Sequence, residues 1–166
     1  MAMAAVAPER LQRLVMLAGN PRFVRSTDWP GIDAATLDGF AGLLSTDVQQ
    51  TLTRFLALQV NGLAHGKPLL QQLKLAMREC QPPSARTLAQ GLDILKQSDL
   101  REVLLRTQLP TSLILGGRDR LIPVECAASL KSLNARIEID LIDDAGHAPF
   151  LSHPRQVMAN VLRMMA

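Results

Sequence analysis

At 166 residues the chain is long enough for one domain with its own core. A balance of 48% hydrophobic to 20% charged residues is that of a soluble globular protein rather than a disordered or fibrous one. A net charge of +3 is too small to argue for nucleic acid, and no apolar run approaches the ~20 residues that span a bilayer.

Aromatic residues make up only 3%, so the core must come from Leu, Ala, Val, Ile and Met. Met1 to Val6 is apolar but short, with neither the basic start nor the cleavage pattern of a secretory leader. Followed by Pro8-Glu9-Arg10, it reads as the last turns of a helix that feeds a strand. A folded unit rarely opens that way, so further chain on its N-terminal side is expected. Arg13 to Gly19 is a buried strand by its length and apolar content, stopped by Gly-Asn-Pro. The long stretch up to Pro110 reads as helices throughout. Val48, Leu52, Phe55 and Leu56 form one apolar stripe, and Leu69, Leu70, Leu73, Ala76 and Met77 a second. Leu88, Leu92 and Leu95 form a third, after a Ser84 cap. Gln81-Pro82-Pro83 breaks the chain between the last two.

Thr111 to Gly117 repeats the strand pattern after Pro110, and Arg136 to Ile142 gives it a third time. Between them Pro123 fits the first turn of a helix with Val124, Ala127, Ala128 and Leu130 as its apolar surface. After the third strand Pro154 opens a helix whose apolar face is Val157, Met158, Val161, Leu162 and Met165. Strand, helix, strand, helix implies α/β architecture with a parallel sheet and right-handed crossovers. Three strands leave an open sheet edge, and the expected edge is the strand at Arg13 to Gly19. Self-association through it is the expectation.

Two loops carry chemistry. Gly116-Gly117-Arg118-Asp119 follows the second strand and Gly146-His147-Ala148-Pro149 the third. Both loops leave the C-terminal edge of the sheet, where open parallel sheets build their sites. The paired glycines allow the chain to turn sharply on leaving the strand. A carboxylate at Asp119 would hold the His147 imidazole in one tautomer and leave it able to act as general base. By itself Asp119 also fits a simple turn cap, and His147 a loop histidine; the pairing on consecutive strands favours the catalytic assignment. His65 and His153 read as surface or capping residues without metal-ligand spacing, so neither metal nor cofactor is expected. Cys80 and Cys126 have no metal or redox spacing and read as thiols of a reducing, cytoplasmic compartment. No Gly-x-Ser-x-Gly elbow occurs, and Ser26, Ser45, Ser84 and Ser98 stand in no elbow context. The serine of such a triad precedes the acid in chain order, which places it upstream of Met1.

The segments Ala7-Pro8-Glu9-Arg10, Asp28-Trp29-Pro30-Gly31-Ile32, Arg54-Phe55-Leu56-Ala57-Leu58-Gln59, Leu92-Asp93-Ile94-Leu95-Lys96 and Gly146-His147-Ala148-Pro149-Phe150-Leu151-Ser152-His153-Pro154 resemble an α/β-hydrolase family. It is the carboxylesterases of biotin synthesis that act on pimeloyl-acyl-carrier-protein methyl ester, and the likeness is to their C-terminal two-thirds. The resemblance implies residues 1–32 as the start of the hydrolase core, 33–100 as an all-helical cap, and 101–166 as the C-terminal core. It implies that Asp119 orients His147, and that His147 activates a serine absent from this chain. It also implies an acyl carrier protein as partner, met by basic cap residues: Arg54 at one such position, Lys67 in place of an arginine, and Gln50 and Gln71 where arginines would stand. Phe40 and Phe55 belong to the same substrate- and carrier-binding set. From Val48 to Arg78 the basic residues Arg54, Lys67, Lys74 and Arg78 occur without one acidic residue, and Lys67, Gln71, Lys74 and Arg78 share one helical face. Three readings stand: an esterase requiring an upstream third, a non-catalytic carrier-binding module, and another capped hydrolase such as a lactonase or carbon–carbon bond hydrolase.

Overall fold

The three apolar runs become the three strands of one parallel sheet: β1 (Leu14–Leu17), β2 (Thr111–Gly116) and β3 (Glu138–Ile142), in the spatial order β1-β2-β3. This computed structural model describes every residue except 45, 62, 82 and 166. Ser45, named above among the serines outside an elbow, and Pro82, named above in the chain break, therefore lie outside the described residues. Leu14 sits opposite Thr111, and Ser112 opposite Glu138. β2 has a neighbour on each side and is buried at every position, which is why Leu113, Ile114 and Leu115 run on without alternating with polar residues. Its side chains still alternate between faces. Leu113 and Leu115 join a core with Met16, Trp29, Leu104, Cys126, Leu130 and Ile137, while Ile114 joins Ile142, Ala145, Val157 and Met164 on the other side.

The short α1 (Ala2–Val6) and a 3-10 turn at Pro8–Arg10 precede β1. Between β1 and β2 lie α2 (Ala34–Leu44), α3 (Val48–Val60), α4 (Gly66–Glu79), α5 (Ala85–Gln97) and α6 (Arg101–Arg106). The expected Ser84 cap forms, its Oγ accepting from the Thr87 amide at 3.1 Å, and Asp47 caps α3 by accepting from the Gln50 amide at 2.8 Å. α2 was not singled out by its sequence because Gly39 and Gly42 interrupt its apolar pattern.

The expectation of helices throughout this stretch fails for residues 18–33. That segment is an irregular loop pinned by isolated bridges, Val24 to Ile32, Ser26 to Trp29 and Arg22 to Asp99. Its limbs approach so closely that a Cβ on Gly31 would lie 2.6 Å from the Phe23 carbonyl oxygen. Buried Trp29 donates Nε1–H to the Arg22 carbonyl at 2.9 Å, and the Arg101 guanidinium lies 5.6 Å from its ring centroid. Arg101 in turn binds Asp99 and Asp28, and Arg22 also binds Asp99.

Beyond β2, α7 spans Cys126–Leu133, starting three residues after the expected Pro123. Residues 123–126 first close a turn through the Cys126 amide and the Pro123 carbonyl, leaving Val124 exposed. After β3 come α8 (Pro149–Ser152) and α9 (Pro154–Met165). The apolar face expected for α9 is rotated. Val157 and Met164 are buried and Val161 packs against them, while Met158, Leu162 and Met165 are exposed. Counting apolar residues cannot say which edge of a wide stripe meets the sheet; the contact with Ile114 and Ile142 decides it. Among the described residues no helix is long and apolar enough to cross a membrane.

The ion cluster that pins the 18–33 loop has a definite pH signature. The Arg101 guanidinium, followed by Arg22, holds the Asp99 carboxyl well below its ordinary range. Its stabilisation is complete above the unfolded carboxylate value of ~3.9 and is lost as pH falls through the lower folded value. Urea unfolding across pH should show Asp99→Asn less stable than the parent at pH 6, with the gap closing under acid conditions. An unchanging gap would mean that Asp99 acts through packing alone.

Candidate active site

Two loops that leave adjacent parallel strands are stitched together before any side chain is considered. The Gly117 amide donates to the Ile142 carbonyl at 2.9 Å and the Arg118 amide to the Ala145 carbonyl at 2.9 Å. The glycines permit this by lacking a side chain. A Cβ on Gly116 would lie 2.3 Å from the Gly146 carbonyl oxygen, and one on Gly117 2.6 Å from that of Asp143. The sequence expectation assigned these glycines to a sharp turn; neither has the left-handed backbone that would need glycine for that reason. Their role is close approach.

The stitched loops bring Asp119 and His147 together. Asp119 Oδ2 lies 2.9 Å from His147 Nδ1, with the carboxylate side chain 1% exposed and the imidazole 21% exposed. The other carboxylate oxygen, Oδ1, accepts the Leu121 amide at 2.7 Å and the Ile122 amide at 3.0 Å. Both oxygens are therefore occupied, and the carboxylate cannot swing away. An ionised carboxylate only accepts, so Nδ1 carries the hydrogen and Nε2 keeps its lone pair. Nε2 has no partner among the described residues. This is the arrangement of a general base whose tautomer is fixed from behind.

His147 faces a cavity of about 220 Å³ lined by Gly19, Asn20, Phe23, Leu95, Ser98 and Ile122, among others. One wall comes from the residues after β1, where Ala18 has φ 45°, the one described non-glycine residue in the left-handed region. Its amide donates to the Ile114 carbonyl at 2.8 Å, and such a conformation costs of order 1 kcal/mol. Cys126 ties that wall down: Asn20 Nδ2 donates to its sulfur at 3.7 Å, and its S–H donates to the Pro30 carbonyl at 3.4 Å. Burial pushes the Cys126 thiol up, which keeps it a protonated donor and a poor nucleophile. The helical insert reaches the site from above. A Cβ on Gly146 would be 3.0 Å from the Gln59 carbonyl oxygen at the end of α3.

The remaining expected site residues lie away from this pair. Phe40 and Phe55 meet edge-to-face inside the insert, centroids 6.0 Å apart. Arg54 lies on α3; Lys67, Lys74 and Arg78 lie on α4, which packs against α3. Arg54, Lys67 and Arg78 are exposed and Lys74 is half-buried. None of the four forms an ion pair among the described residues. His65 begins α4 without a capping hydrogen bond, and His153 Nδ1 lies 2.8 Å from Ser152 Oγ. Both line a separate cleft of about 410 Å³ between α4 and the β3 side of the core. Among the described residues no three His, Cys, Asp or Glu side chains are grouped to hold a metal ion. Sequence reasoning missed Asn20, Cys126 and the Leu121 and Ile122 amides. Their roles depend on a backbone path that no motif marks.

A family description of the alpha/beta hydrolase fold matches residues 1–154. The chain is 40% identical over 150 residues to a pimeloyl-[acyl-carrier protein] methyl ester esterase of Methylococcus capsulatus, covering 90% of this chain and 59% of that protein. It is 42% identical over 151 residues to the protein of the same name from Klebsiella pneumoniae, covering 91% and 59%. The chain thus spans about three-fifths of the length of these curated relatives. Among solved structures, an esterase from Exiguobacterium antarcticum superposes with a TM-score of 0.79 at 20% identity, over 93% of this chain and 57% of that one. The enol-lactonase of Burkholderia xenovorans gives 0.79 at 14% identity, over 99% and 60%. At these identities the two structures establish the fold.

Asp119→Ala leaves two amides of buried residues without their acceptor and should cost about 3 kcal/mol in urea unfolding. Nitrogen NMR should show the His147 ring held as the Nδ1–H tautomer in the parent and exchanging between tautomers in that variant. Gly117→Ala should cost about 1–3 kcal/mol, since backbone must move to admit the methyl. An unperturbed ring in both variants would mean that something other than the carboxylate orients it.

Proposed function

Because this chain belongs to the α/β-hydrolase family, we propose that Asp119 and His147 are the acid and general base of a serine carboxylesterase site. Its substrate is the methyl ester of a pimeloyl group carried on an acyl carrier protein, in biotin synthesis. The observation that carries this reading is the His147 imidazole, which lines the cavity and is held at Nδ1 by a fully engaged carboxylate. The names of the relatives supply the ester and its carrier.

The chemistry follows from that geometry. A serine hydroxyl placed at Nε2 loses its proton to His147 as its oxygen attacks the ester carbonyl. The proton is returned to the departing methoxide, which leaves as methanol. Water then attacks the acyl-serine, giving a proton to Nε2, which passes it to the serine oxygen as the C–O bond breaks, so that the acid departs and the hydroxyl and neutral imidazole are regenerated. Asp119 faces the imidazolium formed in each step and stabilises it. The 166 residues contain no Gly-x-Ser-x-Gly, and in this fold the serine precedes the acid in the chain. That observation favours a second reading, a carrier-binding module without turnover of its own.

The two readings separate by assay. Without a nucleophile at Nε2, turnover falls on the order of a millionfold, so the 166-residue chain should hydrolyse a short-chain nitrophenyl ester no faster than His147→Ala. Robust turnover that vanishes in His147→Ala would reveal a nucleophile within the chain. Carrier docking is assigned to the face of Arg54, Lys67, Lys74 and Arg78. Exposed ion pairs contribute at most ~1 kcal/mol each and are screened by salt. Arg54→Glu combined with Lys74→Glu should therefore weaken carrier binding strongly at low salt and little at high salt. Coincident curves at every salt concentration would place the carrier elsewhere.

We also assign self-association to the outer edge of β1, which no described strand pairs. Leu17 on that strand is 40% exposed, so Leu17→Lys should shift sedimentation toward monomer, as charged side chains protect other sheet edges. A parent chain that sediments as a monomer at high concentration would show the edge to be harmless.

A further inference from the structure

Few polar groups surround the cavity that His147 lines, and one of them is unused. Among the described residues only Asn20, Ser98 and His147 bring polar side chains to its wall. The Asn20 amide nitrogen donates to Cys126, and His147 Nδ1 is held by Asp119. The Ser98 hydroxyl makes no hydrogen bond among the described residues. It is not sealed away either, since no fully buried side-chain oxygen or nitrogen among them lacks a partner. A ligand can therefore reach it.

Backbone geometry fixes the side to which Ser98 turns. Arg22 and Asp99 form an antiparallel bridge, and the Leu100 amide donates to the Pro21 carbonyl at 2.8 Å. Side chains alternate across such an extended pair. Arg22, Asp99 and Arg101 lie on one side and form the ion cluster. Pro21, Phe23, Ser98 and Leu100 share the other side, and all four line the cavity. Ser98 is extended, with φ −70° and ψ 128°, and its amide donates to the Ile94 carbonyl of α5 at 2.9 Å. Fixed between that bond and the Asp99 ion pairs, it costs a ligand little ordering entropy.

We propose that Ser98 selects esters carrying a neutral oxygen, an ether or a hydroxyl, in the chain beside the ester group. The methylene chain of a pimeloyl group has no such oxygen. This is a substrate class beyond the one proposed above, although it rests on the same esterase reading of Asp119 and His147. The surroundings of the hydroxyl supply the reason. Phe23, Leu95, Leu100 and Ile122 border the same space. A hydrocarbon filling it strips water from Ser98 and leaves the hydroxyl unpaired. An ether oxygen in reach accepts the hydroxyl proton, and a ligand hydroxyl can accept or donate. No Lys, Arg, Asp or Glu among the described residues lines the cavity, so the recognised oxygen is neutral rather than a carboxylate.

Four linear methyl esters of equal length are titrated into the full chain while NMR follows the His147 ring. Methyl hexanoate is the hydrocarbon. Methyl propoxyacetate, methyl ethoxypropanoate and methyl methoxybutanoate carry oxygen in place of the third, fourth and fifth acyl carbons. One of these ethers should bind about fivefold more tightly than the other two (~1 kcal/mol). Ser98→Ala should weaken that ether about fivefold and bind methyl hexanoate as tightly as the parent or more so, because the unpaired hydroxyl is gone. Ser98→Thr keeps a hydroxyl and should keep the parent's order. Comparing the esters on the parent chain needs no variant to fold. Three ethers that bind alike, or a favoured ether that Ser98→Ala does not weaken, overturn the assignment and leave the esterase reading standing. So does a Ser98→Ala variant that loses methyl hexanoate and the ethers by the same factor, which is the mark of a structural role. No response at His147 to any of the four overturns the esterase reading as well.

Discussion

The loops that leave β2 and β3 bring Asp119 and His147 together only because their backbones nearly touch. Gly116 and Gly117 lie so close to residues 143–146 that a single added carbon would collide with carbonyl oxygens. Two amide–carbonyl bonds then hold the loops in register. From that contact the rest follows. Asp119 is buried beside the turn, its Oδ1 is claimed by the amides of Leu121 and Ile122, and Oδ2 is left pointing at His147. A buried carboxylate with one free lone-pair direction orients an imidazole far more sharply than an exposed one, because water offers no competing partner.

The parallel sheet makes the contact possible. Parallel neighbours emerge from the same edge, so residues just past their C-terminal ends become neighbours although 28 positions apart in the chain. An antiparallel pairing of the same strands would send the two loops to opposite ends. The sheet therefore builds the Asp119–His147 contact from the segment containing β2 and β3.

The remaining walls of the site come from two segments held by different forces. The 18–33 loop has little regular structure, and its place is fixed by Trp29 burial, the Arg101 and Asp99 ion cluster and the Cys126 bridge between Asn20 and Pro30. The helical insert packs mainly through its own leucines and phenylalanines and touches the core at the end of α3, beside Gly146. Its internal contacts leave room at Gly91. A core of small and branched residues, poor in aromatics, more readily leaves such space than one rich in large rings.

The sequence by itself determined the strands, the α/β class and the pairing of Asp119 with His147. Strand identity rests on short apolar runs bounded by Gly and Pro, and site placement on the rule that parallel strands share an exit edge; both are local signals. It also determined the cap at Ser84, which acts within four residues. Tertiary structure alone decided which apolar residues of α9 face the sheet, and that Val124 lies outside α7. It also decided that the glycines serve approach rather than turning, and that residues 18–33 form a pinned loop. Each of these depends on which surface a residue meets. Periodicity fixes the spacing of a stripe but not its partner, and a glycine's neighbours across a loop contact lie far away in sequence.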